Sequence, residues 1–230
     1  MNLLTPLEWR RMARWTAHPL RFAVAAALLV VLALPLPGWA GDPSNQMKET
    51  VDRAIAVLSD QALKTPERKE ERRKKLREII YTRFDFNVMS QGAVGRQWKS
   101  FTPDQQQKFI PLFSRILENA YLEKIENYQG EQVLFTKEVL NTKKSGTEVA
   151  RVDGVLQAKE REFSMSYELV KEPDGQWKVF DIVLEGVGVI SNFRSQYQEV
   201  LKNNTVEKLL KDLEDKANKP PEDITKPAGK

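Results

Sequence analysis

Apolar residues recur along this chain with three different spacings, and the changes between them mark out its parts. Residues 22–36 form an unbroken apolar run from Phe22 to Leu36. From Met47 the spacing becomes helical: Met47, Val51, Ile55 and Leu58 repeat at threes and fours, which predicts an amphipathic helix over 47–63. Thr65 and Pro66 restart a helix, since proline suits a first-turn position. The body of that helix, residues 67–75, is almost entirely charged, with Glu70/Lys74 and Glu71/Lys75 as acid-before-base pairs four apart. Two readings of it stand: a solvated helix face, or a basic docking surface in which Arg68, Lys69, Arg72, Arg73, Lys74, Lys75 and Arg77 outnumber the acids. Two short apolar clusters follow, Phe84–Met89 and Ala93–Lys99. Then Thr102, Pro103 and Gln105 spell a capping box with proline at the first helical position. Behind it run Phe109, Leu112, Phe113, Ile116, Leu117, Ala120 and Tyr121, a broad stripe on one helix.

After Gly130 the period changes to two. Residues 132–141, 149–158, 161–171 and 176–185 read as strands. In the third, Phe163, Met165, Tyr167 and Leu169 share one face, while Ser164, Ser166 and Glu168 share the other. In the fourth, strict alternation puts Trp177, Val179, Asp181 and Val183 on one face and Phe180, Ile182 and Leu184 on the other. Pro173, Asp174 and Gly175 supply a tight turn between these two strands. Four consecutive strands with short connections predict an antiparallel meander. Two further helices carry Phe193, Tyr197, Val200 and Leu201, then Val206, Leu209, Leu210 and Leu213. The fold class is therefore α+β: helices packed on a curved four-stranded antiparallel sheet. One domain is expected over 47–217, preceded by a linker at 41–46 and followed by a proline-rich, disordered tail at 218–230.

The apolar run at 22–36 sits between Arg10, Arg11, Arg14 and Arg21 on one side and Gly38, Trp39 and Ala40 on the other. Basic, apolar and small-residue segments in that order read as a secretory signal peptide over 1–40, cleaved after Ala40. Fifteen apolar residues fall short of the roughly 18–20 that a spanning helix needs. The leader changes the charge. Of 36 basic and 32 acidic residues it holds four arginines and Glu8, so 32 and 31 remain and the formal +4 falls to about +1. The single histidine, His18, lies in the leader too, and there is no cysteine. The mature chain thus lacks the groups for Ser-His-Asp or Cys-His catalysis and for histidine or thiolate metal sites.

Little else in the sequence carries chemistry. Gly186 and Gly188 are too short a motif for a phosphate loop and are better explained as the start of a helix. Lys and Glu are evenly mixed, without the aromatic-interleaved basic stripe of nucleic-acid binders, so no nucleic acid is expected as a partner. Asp85 and Asp181 sit in apolar stretches where burial can raise a carboxyl pKa, which makes each a candidate base. Against that, Asp85 suits a helix cap and Asp181 a hydrogen-bonded sheet position. Tyr121, Tyr128, Tyr167 and Tyr197 are spaced as core residues.

Two motif series then stand out. One is Phe84, Asp85, Phe86 and Met89, followed by Gly95, Trp98, Thr102, Gln105, Phe109, Phe113, Leu117 and Tyr121; the other runs from Trp177 through Asp181, Gly186, Asn192 and Arg194 to Tyr197. Together they resemble the signature of the MlaC family, periplasmic phospholipid shuttles that maintain outer-membrane lipid asymmetry and are also described as toluene-tolerance or ABC-transporter auxiliary components. The resemblance covers residues 45–215. It implies an apolar lipid cavity between sheet and helices, a bound phospholipid as cargo, no cofactor, no metal and no catalytic residue. It also implies a periplasmic monomer whose partners are an inner-membrane ABC transporter with an MCE-domain subunit and an outer-membrane lipoprotein complex. The motif and the inward faces give the expected lipid-binding residues as Phe84, Met89, Trp98, Phe109, Phe113, Leu117, Tyr121, Phe163, Met165, Tyr167, Val179, Val187, Ile190, Phe193 and Tyr197. Arg194 is expected near the mouth or paired with an acid such as Asp181. Gly188 departs from the family pattern, which has serine there. A hopanoid-associated branch is similar enough that a polycyclic-lipid carrier is an alternative, and a small cone-shaped α+β enzyme using Asp85 or Asp181 as base is another.

Overall fold

The computed structural model describes residues 43–158 and 161–218. The expected leader, the first two linker residues and the tail from residue 219 lie outside them. Helix α1 spans Pro43–Ser59, so most of the expected linker is helical. Proline suits its first turn, and Gln46 and Met47 are already buried there. The backbone N–H of Ser44 donates to a Glu138 carboxylate oxygen at 2.9 Å, so a residue of the sheet serves an orphan donor of this helix start. The helix stops at Ser59, earlier than expected. Two short turns follow, Gln61–Leu63 and Pro66–Arg68, the first capped by the Asp60 carboxylate.

Helix α2, Lys69–Arg83, buries only Leu76, Ile79 and Arg83. Its charges are not a free basic face. Arg72 and Arg73 both donate to Glu126 at 3.1 and 2.8 Å, and Arg77 donates to Glu118. Both acids belong to helix α4, Pro103–Glu126. The Glu126 side chain is only 5% exposed. Burial pulls its pKa upward, but hydrogen bonds from Arg73 and Arg72 outweigh that and hold it below the ordinary carboxylate range. One side of the charged stretch is therefore a seam between two helices, while Arg68, Lys69, Glu70, Lys74 and Lys75 stay exposed.

Helix α3, Phe86–Val94, begins where the Asp85 carboxylate accepts from the N–H groups of Asn87 and Val88 at 3.0 and 2.9 Å. At the start of α4 the capping box is complete: Thr102 N–H donates to Gln105 Oε1 at 2.8 Å, and Gln105 N–H donates to Thr102 Oγ1 at 3.3 Å.

The sheet runs in sequence order, each strand antiparallel to the next: β1 Gln132–Thr142, β2 Glu148–Gln157, β3 Glu162–Lys171, β4 Trp177–Leu184 and β5 Val187–Gly188. The expected meander is present with a fifth, two-residue strand added. It arises because Glu185 and Gly186 both take positive φ, 48° and 78°, and so fold β4 straight back into a tight hairpin. The expected face assignment of β4 holds only in part. Glu168 pairs with Asp181 but Leu169 pairs with Val179, so Phe180 is an extra, bulged residue. One inserted residue exchanges the faces beyond it. Ile182 and Leu184 thereby join Tyr167 and Met165, and Asp181 joins Glu168.

Helices α5, Val189–Asn203, and α6, Val206–Ala217, complete the fold. The core has two main clusters. One lies between the sheet and α1: Met47, Ala150, Val152, Tyr167, Leu169, Trp177 and Val179. The other is built by α3–α6 around Phe109, Phe113, Phe193 and Tyr197. Phe84 and Ile182 pack against both. No helix among the described residues is long and apolar enough to cross a membrane.

Candidate functional site

Helix α5 brings Val189, Asn192, Phe193, Gln196 and Tyr197 to one face by its threes and fours. That face forms one wall of a cleft of about 300 Å³. Ile116 and Tyr121 of α4 form the facing wall, Leu184, Val187 and Gly188 of the last hairpin one end, and Lys216 of α6 the rim. The interior is apolar and the polar groups are few, the usual composition of a small-molecule site, at the low end of the roughly 300–1,000 Å³ range.

The two long walls are held apart and joined by aromatic rings. Phe113 meets Phe193 edge-on at 5.2 Å between centroids, and Phe109 meets Tyr197 edge-on at 5.8 Å. Below the cleft, α5 is fixed to α3 by Arg194, whose Nε donates to the Gly92 carbonyl at 2.6 Å. A Cβ on Gly92 would come within 2.9 Å of Ile190 Cγ2, so glycine permits that helix contact.

The start of α5 is capped from a distance. Gly188 has no side chain to accept from the first turn, and Asp181 Oδ1 on β4 accepts the Ile190 N–H at 3.0 Å instead. A side chain at 188 would crowd this arrangement, its Cβ falling 2.9 Å from Ser191 Oγ and 3.1 Å from Asp181 Oδ2. Ser191 closes the turn, its Oγ donating to the Gly188 carbonyl at 2.7 Å. Burial raises the Asp181 pKa against the bonds from Ile190 and Ile182 and the charge of Arg194. Burial, then the Asp181 charge, raises that of Tyr121. Both candidate bases, Asp85 and Asp181, thus serve as helix caps. Among the described residues no cluster of acids is arranged to hold a metal ion.

Of the fifteen expected lipid-binding residues, Tyr121, Val187, Phe193 and Tyr197 line this cleft. Met89, Phe109, Phe113, Leu117 and Ile190 lie in the helical cluster, with Trp98 packed against it. Tyr167 and Val179 lie in the sheet cluster with Met165 against it, and Phe84 touches both clusters. Phe163 lies instead under the Arg161 guanidinium, 4.4 Å from its ring centre. Sequence reasoning missed Ile116, Leu184, Gly188, Val189, Asn192, Gln196 and Lys216 as cleft residues. For Asn192 and Gln196 a signal existed: each directly precedes an aromatic of the α5 stripe, which puts it on the stripe's edge.

A family model described as MlaC protein matches residues 48–215, which is most of the chain and nearly all of the described residues. The chain belongs to the MlaC family. A curated MlaC relative, the intermembrane phospholipid transport system binding protein of Haemophilus influenzae, is 22% identical over 139 residues, covering 56% of this chain and 60% of that protein. The fold is similar to that of the phospholipid-binding protein of Ralstonia solanacearum, solved in complex with a phospholipid. Its TM-score is 0.65 at 23% identity, over 77% of this chain and 97% of that one.

Proposed function

We propose that this MlaC-family chain is a phospholipid-binding carrier. In this reading residues 1–40 export it to the periplasm. There it moves lipid, as a monomer, between an inner-membrane ABC transporter with an MCE-domain subunit and an outer-membrane lipoprotein complex, and so maintains outer-membrane lipid asymmetry. The observation that carries the reading is the family match across the domain that contains the apolar cleft. The physics agrees with it. Moving a lipid through water requires shielding its chains, at about 0.8 kcal/mol per buried CH₂, and that needs apolar surface rather than a catalytic group. Both acids weighed as bases are engaged in capping, which favours a carrier over an enzyme. The cleft is small for two acyl chains.

The test is to express the full chain with its leader, purify it from the periplasmic fraction, extract it with organic solvent and weigh the extract by mass spectrometry. Phospholipid at near-stoichiometric amounts is expected. A polycyclic lipid in its place would establish the hopanoid alternative. Protein that is reproducibly lipid-free and takes up no phospholipid from vesicles would overturn the proposal.

A further inference from the structure

One residue of the cleft wall carries a buried group that its own fold leaves unsatisfied. Tyr197 lines the cleft and is only 4% exposed, and its hydroxyl is buried without a hydrogen-bond partner among the described residues. Such a group destabilises a protein unless something pairs with it. The contrast with Tyr167 is direct. That tyrosine is equally buried in the sheet cluster, but its hydroxyl meets Met165 Sδ at 3.9 Å.

We propose that the Tyr197 hydroxyl is a hydrogen-bond donor to the cargo, and that its acceptor is the acyl-ester carbonyl of a glycerolipid whose chain enters between α4 and α5. This rests on the phospholipid-carrier reading above and adds the atom that recognises the lipid. Three features select a neutral carbonyl as the acceptor. The surroundings of Tyr197 are the rings of Phe109, Phe113 and Phe193, at 5.8, 6.1 and 5.7 Å between centroids, where a charged phosphate would lose its hydration without compensation. Burial lifts the Tyr197 pKa far above that of an ordinary phenol, so the group is a neutral donor at any physiological pH. The remaining polar groups of the cleft, Asn192, Gln196 and Lys216, include the cation and the amides that suit a phosphate. In a glycerophospholipid the ester carbonyls lie just inside the phosphate, between headgroup and chains. An apolar site holding one deep donor beside an amide-and-lysine rim has that same order.

The test compares a diester phospholipid with its dialkyl-ether analogue, matched in headgroup and chain length, because the ether lacks the carbonyl. Binding of each from mixed vesicles is measured for the full-length protein and for Tyr197→Phe, which keeps the ring. The wild type is expected to prefer the ester by roughly tenfold, the value of one good buried hydrogen bond. The variant is expected to bind both lipids at the ether level, and in its lipid-free form to melt at a higher temperature than the wild type. Ether binding by the variant shows that it has folded. A wild type without ester preference, or a preference that survives in Tyr197→Phe, overturns the inference while leaving the carrier reading in place. A wild type that binds neither lipid overturns both.

Discussion

The two main core clusters solve the problem of buried polar groups in opposite ways. On the sheet side Arg83 is 7% exposed, yet its guanidinium donates to Thr50 Oγ1, Gln46 Oε1 and the Trp177 carbonyl, while Gln46 Oε1 also accepts the Trp177 N–H at 3.0 Å. Helix α1, helix α2 and strand β4 are locked together by groups that all have partners. On the helical side α4 and α5 meet in edge-on ring pairs, and the Tyr197 hydroxyl has no hydrogen-bond partner among the described residues. A satisfied network resists separation because parting it strands several buried groups at once. An aromatic interface with one orphaned donor loses only dispersion and area when it parts, and it gains when a suitable acceptor arrives. Under the carrier proposal, the sheet side is the frame and the helical side the part that admits a ligand.

Truncating Phe113 should break that contrast most severely. It is fully buried and touches the rings of Phe109, Phe193 and Tyr197. Phe113→Ala is expected to cost about 3–5 kcal/mol in urea unfolding and to weaken lipid retention as well. Arg83→Met comes next. It leaves the Trp177 carbonyl and Thr50 without their donor, and a loss of about 3 kcal/mol is expected from two stranded buried groups. Because none of Arg83, Gln46, Thr50 and Trp177 lines the cleft, the folded fraction should bind lipid as the wild type does; a specific binding defect would show that the two sides are not separate.

Glu126→Gln has a smaller effect and a pH signature. The Glu126 pKa is depressed in the folded protein, so its contribution is present above the ordinary carboxylate range and is lost as pH falls through the depressed value. At pH 7 the substitution is expected to cost on the order of 2 kcal/mol. Stability curves of wild type and variant should converge in acid, and a pH-independent difference would count against the α2–α4 seam. Asp181→Asn is the mildest. Its pKa is raised in the fold, so the native state holds the proton more tightly and the charged form costs stability once pH passes the raised value. Asparagine keeps an acceptor for the Ile190 N–H, so the variant should lie within about 1 kcal/mol of wild type at pH 7 and lose the decline in stability with rising pH.

Much of the framework was legible one segment at a time, because local rules govern it. The capping box at Thr102 and Gln105, the cap at Asp85 and the alternation of Phe163 to Leu169 all depend on residues within a few positions of each other, and each is present as read. The meander order follows from short turns. The charged helix at 67–75 was only half legible, since its arginines find Glu118 and Glu126 about 40 to 55 residues away. Sequence spacing displays pairs within a helix but not pairs between helices.

What the sequence determined by itself was a family-bearing motif series, an α+β order of elements and a chain with no cysteine and a single histidine, His18. What only the tertiary structure decided was which apolar residues bound open space. Core and cleft draw on the same residue types, so periodicity places Phe113 and Phe193 on inward faces without saying which one borders a gap. The bulge at Phe180 sharpened this limit: one extra residue in β4, invisible to a period-two reading, turned Leu184 towards the cleft end and Asp181 towards the start of α5. A side chain's neighbours across a fold are fixed by register and packing between distant segments. The burial of the Tyr197 hydroxyl among three rings became visible only there.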